Sequence, residues 1–165
     1  MSRVLISAAH KSSGKTTLSI GLCAALTARG YRVQPFKKGP DYIDPLWLTQ
    51  ASASPCFNLD FNTQSREEIK RTFNAHKRLP DIRFVEGNKG LFDGVDPLGS
   101  DCNAALAKQL ELPVILVVDV QGITRGIAPL VQGYRQFDPD VKIIEVVLNN
   151  VPRQRQERKI RQAIQ

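Results

Sequence analysis

The residues Ser12-Ser13-Gly14-Lys15-Thr16-Thr17 carry the chemistry of a polyphosphate site. A glycine lets backbone N–H groups approach an anion. The lysine adds a point charge beside the β- and γ-phosphates, and the Thr16 hydroxyl is a ligand type suited to Mg²⁺. The spacing departs from the usual loop, because Ala9 stands where a first glycine is expected. Gly-Lys-Thr alone arises often by chance, so its context decides. The apolar, β-branched run Val4–Ala8 precedes it and a helical pattern follows, which is the strand–loop–helix order that a nucleotide-binding loop requires.

Further groups stand at the ends of other apolar runs. Asp41 and Asp44 lie beside Lys37 and Lys38 in a segment stiffened by Pro40 and Pro45. Such carboxylates either hold Mg²⁺ with few protein ligands, the nucleotide supplying the rest, or form a charge-paired polar turn. Glu86 ends the run Ile82–Glu86. A carboxylate there is costly unless paired or metal-bound, and with Thr16 it would complete a Mg²⁺ site. Asp93 precedes Gly94 and either faces a substrate or makes an Asp-Gly turn. Asp119 is either a nucleotide-site acid or the start of a turn toward Gly122. Asn149 either hydrogen-bonds a nucleobase edge or caps a turn.

The elements that must position these groups alternate. Strands are predicted at Val4–Ala8, Arg32–Lys37, Ile82–Glu86, Val114–Asp119 and Lys142–Leu148. Helices are predicted at Gly14–Arg29, from Ser65 to about Lys77, at Asn103–Leu110 and at Gly126–Phe137. Ser65 reads as an N-cap, with Glu67 and Glu68 in the first turn. Residues Gly39–Asn62 read as irregular, with a short turn around Leu46–Ala51, and Gly87–Gly99 as a glycine-rich loop. The basic tail Arg153–Ile164 reads as helical. Alternation of this kind predicts an α/β fold: a mostly parallel sheet with helices on both faces and ligands at the C-terminal strand ends.

The bulk properties agree with a single domain. The chain has 165 residues, 42% hydrophobic and 24% charged, with a net charge of +7. No apolar run approaches the ~20 residues that cross a bilayer, and Met1-Ser2-Arg3 leads straight into the first strand. No signal peptide, no membrane association and a cytoplasmic setting are therefore expected. Cys23, Cys56 and Cys102 are too widely spaced for a metal cluster or a disulfide framework. Residues 1–40 carry seven Lys or Arg and no acid, which suits a polyanionic ligand. No motif points to nucleic acid.

The string Lys38-Gly39-Pro40-Asp41-Tyr42-Ile43-Asp44-Pro45, with Asn58-Leu59-Asp60, Glu86-Gly87 and Gly90-Leu91-Phe92-Asp93-Gly94, resembles the ATP-dependent domain of the cobyrinic acid a,c-diamide synthase family. The resemblance runs from the phosphate loop to Leu148-Asn149. It implies a P-loop NTPase fold like that of dethiobiotin synthetase, which shares the variant loop with Ala9. It also implies an ATP- and Mg²⁺-dependent carbon–nitrogen ligase. In that family a peripheral tetrapyrrole carboxylate is phosphorylated, and ammonia from a glutaminase domain displaces the phosphate. The implied division is residues 1–150 as the ATP-binding amidoligase domain and 151–165 as a basic helical linker toward a glutaminase domain or subunit. A homodimer is one assembly open to such a chain.

Carried over position by position, the resemblance places Ser12, Ser13, Gly14, Lys15, Thr16 and Thr17 around the phosphates, with Asn149 at the adenine. Thr16, Asp41 and Glu86 would surround the metal. Tyr42, Ile43, Asp44 and Asp93 would face the substrate, and Lys15, Asp44 and Asp93 would serve phosphoryl transfer. Two departures bear on the substrate side: Leu46-Trp47-Leu48 stands where the family often has a histidine, and Asn88-Lys89 where a small or apolar pair is more usual. Cobyrinic acid and sirohaem are both candidate acceptors. The rival readings are a partition-type ATPase switch and a non-catalytic nucleotide-binding domain. The switch usually carries a lysine where this chain has His10.

Overall fold

A computed structural model describes residues 2–75 and 79–164. Its elements follow in order as β1 (Ser2–Ala8), α1 (Lys15–Ala28), β2 (Val33–Lys38), α2 (Asp44–Ser52), β3 (Phe57–Leu59), α3 (Arg66–Asn74), β4 (Ile82–Glu86), α4 (Asn103–Leu110), β5 (Val114–Asp119), α5 (Ile127–Phe137), β6 (Ile143–Asn149) and α6 (Gln154–Ile164). The strands form one sheet in the order β3-β2-β4-β1-β5-β6, and every pairing is parallel.

Strand sequences explain the layering. Leu5, Val85, Leu116 and Val118 pack into one core, and the alternate residues Ile6, Phe84 and Val117 into the other. Consecutive apolar residues are thus buried on opposite faces, as helices covering both sides of a parallel sheet require. β1 lies between β4 and β5, where the strand order reverses, the place at which such sheets leave a crevice at their C-terminal ends. Register brings three strand ends together there: Ile6 of β1 lies beside Glu86, and Lys37 of β2 lies on the other side of the same Glu86.

The sheet has six strands where five are predicted. The added β3 holds only three residues and pairs with β2 through Phe36 and Phe57, too short a run to show alternation. Asn58 within it sends its side-chain amide to the Asp41 carbonyl at 2.9 Å. A Cβ on Gly39 would stand 2.7 Å from Asn58 Oδ1, so this small strand fixes the Gly39–Asp44 loop. The turn predicted around Leu46–Ala51 is a nine-residue helix, α2. Pro45 sits in its first turn, where the missing N–H is no loss, and so does not break it.

The predicted cap of α3 is present in full. Ser65 Oγ accepts from the Glu68 N–H at 3.2 Å, and Glu68 Oε2 accepts from the Ser65 N–H at 2.8 Å, a reciprocal capping box. The helix ends at Asn74, and the expected limit near Lys77 lies outside the described residues. Residues predicted as a helical tail form α6, which packs against α5. Its Ile160 is fully buried, and Gln156 donates to the carbonyls of Val120 and Ile123. Among the described residues no helix is long and apolar enough to cross a membrane.

Candidate active site

The phosphate loop joins β1 to α1. Ser12 and Gly14 both adopt positive φ, 65° and 89°, which turns the chain sharply into the helix. Gly14 is the N-cap of α1 and no side chain caps the helix, so its first N–H groups remain free for an anion. A Cβ on Gly14 would lie 2.1 Å from Asn149 Nδ2, leaving room for glycine alone. Ser13 Oγ donates to the His10 carbonyl at 2.8 Å, and Asn149 Nδ2 donates to the Ser13 carbonyl at 2.9 Å. β6 therefore braces the loop from its far side.

Lys15 is buried at the first turn of α1. Burial, and after it the Lys37 charge, hold its ammonium below the ordinary value, with Glu86 and Asp44 acting in the opposite direction. A polyphosphate against it would add negative charge that favours the ammonium form.

Beside it lies a compact network. Thr16 Oγ1 donates to Glu86 Oε1 at 2.6 Å and lies 3.4 Å from Asp44 Oδ2. Lys37 Nζ stands 2.6 Å from Asp44 Oδ2, 3.0 Å from Glu86 Oε1 and 3.8 Å from Asp41 Oδ2, and donates to the Gly87 carbonyl at 3.3 Å. Burial alone would lower the Lys37 pKa, but the charges of and hydrogen bonds to Glu86 and Asp44 outweigh it and the net shift is upward. Glu86 is fully buried, and its Oε2 has no hydrogen-bond partner among the described residues. An orphaned carboxylate oxygen beside a threonine hydroxyl fits Mg²⁺, which takes few protein ligands alongside phosphate oxygens.

A cavity of about 460 Å³ opens over this network, lined by the phosphate loop with Lys11 and Lys15, by Thr16, Lys37 and Asp44, and by Gly87, Asn88 and Lys89. A second of about 650 Å³ adjoins it on the α1 side, between Ser12, Thr17, Leu18, Gly21, Leu22, Asn149 and Asn150. The two share Ser12, Gly14 and Thr17, so they form one continuous trough between Asn149 and Lys15.

The remaining candidates lie as follows. Asp41 Oδ1 accepts from the N–H groups of Ile43 and Asp44, shaping the entry to α2, while its Oδ2 faces Lys37. Tyr42 and Ile43 are 84% and 68% exposed on the rim. Asp93 Oδ2 accepts from the Gly90 N–H at 3.1 Å and does not line the phosphate cavity. Asp119 caps its own turn, accepting from Gln121 N–H and Asn150; these bonds lower its pKa.

Two residues escaped the sequence reading. Lys37 was visible only as one of two adjacent lysines; its role follows from the register that sets it against Glu86. Asn103 opens α4 and is fully buried. Its amide donates to Ser7, to the Asn88 carbonyl and to the Gly90 carbonyl, and its Oδ1 accepts from the Asn88 N–H.

None of this chemistry uses a thiol. Burial first, and then the Glu86 charge for Cys23 and the neighbouring Cys23 for Cys56, push both thiols up to about 12. Thiols so protonated are poor nucleophiles. In the native protein at about pH 8 both are expected to resist iodoacetamide for far longer than a free thiol does, as peptide mass mapping would show. Modification of either at the rate of free cysteine would contradict the assignment.

The sequence model of the CobQ/CobB/MinD/ParA nucleotide binding domain family matches residues 5–165. The chain is 52% identical to the cobyrinate a,c-diamide synthase of Magnetococcus marinus, over 99% of this chain and 35% of that protein. It is 44% identical to the enzyme of the same name from Methanosarcina barkeri, over 99% of this chain and 34% of that protein. The chain thus spans about a third of the length of these curated relatives. Among solved structures, chloroplast FtsY from Physcomitrella patens superposes with a TM-score of 0.57 at 16% identity, covering 89% of this chain and 49% of that one. That likeness concerns the fold alone.

Proposed function

The chain belongs to the CobQ/CobB/MinD/ParA nucleotide-binding domain family, and from that premise we propose that it is the ATP-dependent part of an amidoligase that activates carboxylates of cobyrinic acid. The observation that carries this reading is the convergence of Thr16, Lys37, Asp44 and Glu86 beneath a lysine-lined cavity. Phosphoryl transfer asks for positioning and charge neutralisation rather than covalent help from the protein, and this is what these groups supply. The names of the relatives supply the acceptor.

In the proposed reaction an acceptor carboxylate oxygen attacks the γ-phosphorus of ATP, and the bond to the β–γ bridging oxygen breaks to release ADP. Ammonia then attacks the acyl carbon. Inorganic phosphate leaves, and the nitrogen loses a proton to give the amide. Lys15 and the first N–H groups of α1 hold the β- and γ-phosphates. Thr16 and Glu86, with Asp44 and Asp41 nearby, would hold Mg²⁺, which when bound neutralises phosphate charge. Lys37 fixes Asp44 and Glu86 and presents a cation to the transferring group. Asn149 keeps the loop in place beside the adenine, and Tyr42, Ile43 and Asp93 border the acceptor side. A glutaminase partner would deliver the ammonia.

The test supplies ATP, Mg²⁺, ammonium and cobyrinic acid, with sirohaem as the parallel acceptor, and follows ADP together with product mass. Amidated cobyrinic acid in step with ADP is expected. Release of ADP with neither tetrapyrrole amidated would refute the reading and favour a nucleotide switch.

A further inference from the structure

We propose that Lys89 forms an anion subsite that grips a non-reacting carboxylate of the acceptor, beyond the γ-phosphate end of the nucleotide cavity. The inference rests on the amidoligase reading for the identity of that acceptor and on geometry for the site itself.

With the nucleoside placed beside Asn149 and the phosphates over the loop Ser12–Thr17, a bound nucleotide runs along the two adjoining cavities. Its phosphates point away from β6, toward Lys37 and Asp44. Gly87, Asn88 and Lys89 line the same cavity, next to Lys37, which donates to the Gly87 carbonyl, and this wall is the one assigned to the acceptor. Of the other lysines that line this cavity, Lys11 belongs to the phosphate loop. Lys15 sits at the head of α1, and Lys37 is bound to Asp44 and Glu86. Lys89 is exposed and makes no ion pair or hydrogen bond with its side chain among the described residues.

Its backbone is held as if the position mattered. Lys89 has φ 46°, a conformation that L side chains rarely adopt. On either side the chain is anchored by one buried side chain: Asn103 bonds both backbone groups of Asn88 and the carbonyl of Gly90. The Leu91 N–H adds a bond to the Ala8 carbonyl at 2.8 Å. A non-glycine residue kept at such an angle by buried bonds marks a candidate functional position. A second anion, separate from the phosphates, is the ligand chemistry that suits this corner. A polycarboxylate acceptor carries several such groups besides the one that reacts.

The test compares the wild-type chain with Lys89→Met and Lys89→Arg in two equilibrium titrations. The first measures a non-hydrolysable ATP analogue with Mg²⁺, and its affinity is expected to stay within about twofold in both variants, since no phosphate contact is lost. The second measures cobyrinic acid with the analogue bound. Affinity is expected to fall about tenfold in Lys89→Met and to be largely restored in Lys89→Arg, as for one charge-assisted contact. Equal cobyrinic acid affinity in wild type and Lys89→Met would overturn the inference. So would a loss confined to the analogue, which would make Lys89 a phosphate ligand. Binding that depends on Lys89 without amide formation by the wild type would sink the ligase reading and leave the subsite standing.

Discussion

Lys15→Ala is expected to lower ATP turnover about a thousandfold, the scale lost when a single preorganised charge or donor is removed from a developing anion. Lys15 faces the phosphate cavity from the first turn of α1. The fold is expected to survive. Burial and Lys37 both weigh against this ammonium in the free protein, so its removal takes away a cost and leaves no carboxylate of the network without its Lys37 partner. The check is steady-state release of ADP alongside a urea midpoint. An unchanged midpoint with activity lost is the expected pair. Turnover within tenfold of wild type would refute the phosphate-loop assignment.

The second large effect comes from Lys37, and here stability moves. Lys37→Met leaves the fully buried Glu86 without its cation and removes the closest partner of Asp44. Breaking a buried pair by deleting one member costs about 3 kcal/mol or more. The double variant Lys37→Met/Glu86→Gln removes the stranded charge and is expected to regain most of that loss while remaining inactive. The pH dependence has a definite sign. The folded-state pKa of Lys37 lies above its ordinary 10.5 because Glu86 and Asp44 outweigh burial. Its contribution is thus complete below 10.5 and fades only as pH rises through the higher folded value. The gap between wild type and Lys37→Met, measured by denaturant melts, is expected to be constant from neutral pH up to that region and to shrink above it. A gap already gone near neutral pH would show that the network does not hold the fold.

Much of this was legible in the chain because it is local. The apolar run before Gly14-Lys15-Thr16 and the helical pattern after it specify strand, loop and helix without reference to the rest of the molecule. The same holds for Ser65 and Glu68, whose capping box closes within one turn. Glu86 announced itself as a carboxylate at the end of an apolar strand, and the structure buries it fully with its Oε1 against Lys37 and Thr16. What stayed hidden depends on register and long-range contact. Lys37 and Lys38 are equivalent in sequence, and only the pairing of β2 with β4 turns the first toward Glu86. β3 is three residues long, and Asn103 acts on a loop far from it in sequence. The side chain of Asp93 folds back on Gly90 rather than into the phosphate cavity, a contact that an Asp-Gly pair leaves open.

The central claim, that ATP here activates a carboxylate for amidation, is tested most directly by label transfer. Cobyrinic acid carrying heavy oxygen in its carboxylates is incubated with the protein, ATP, Mg²⁺ and ammonium, and the released phosphate is weighed by mass spectrometry. One labelled oxygen in phosphate for each amide formed is the expected result, because the acyl phosphate leaves with the carboxylate oxygen it was built on. Amide formed alongside unlabelled phosphate, or phosphate released with no amide at all, would contradict it.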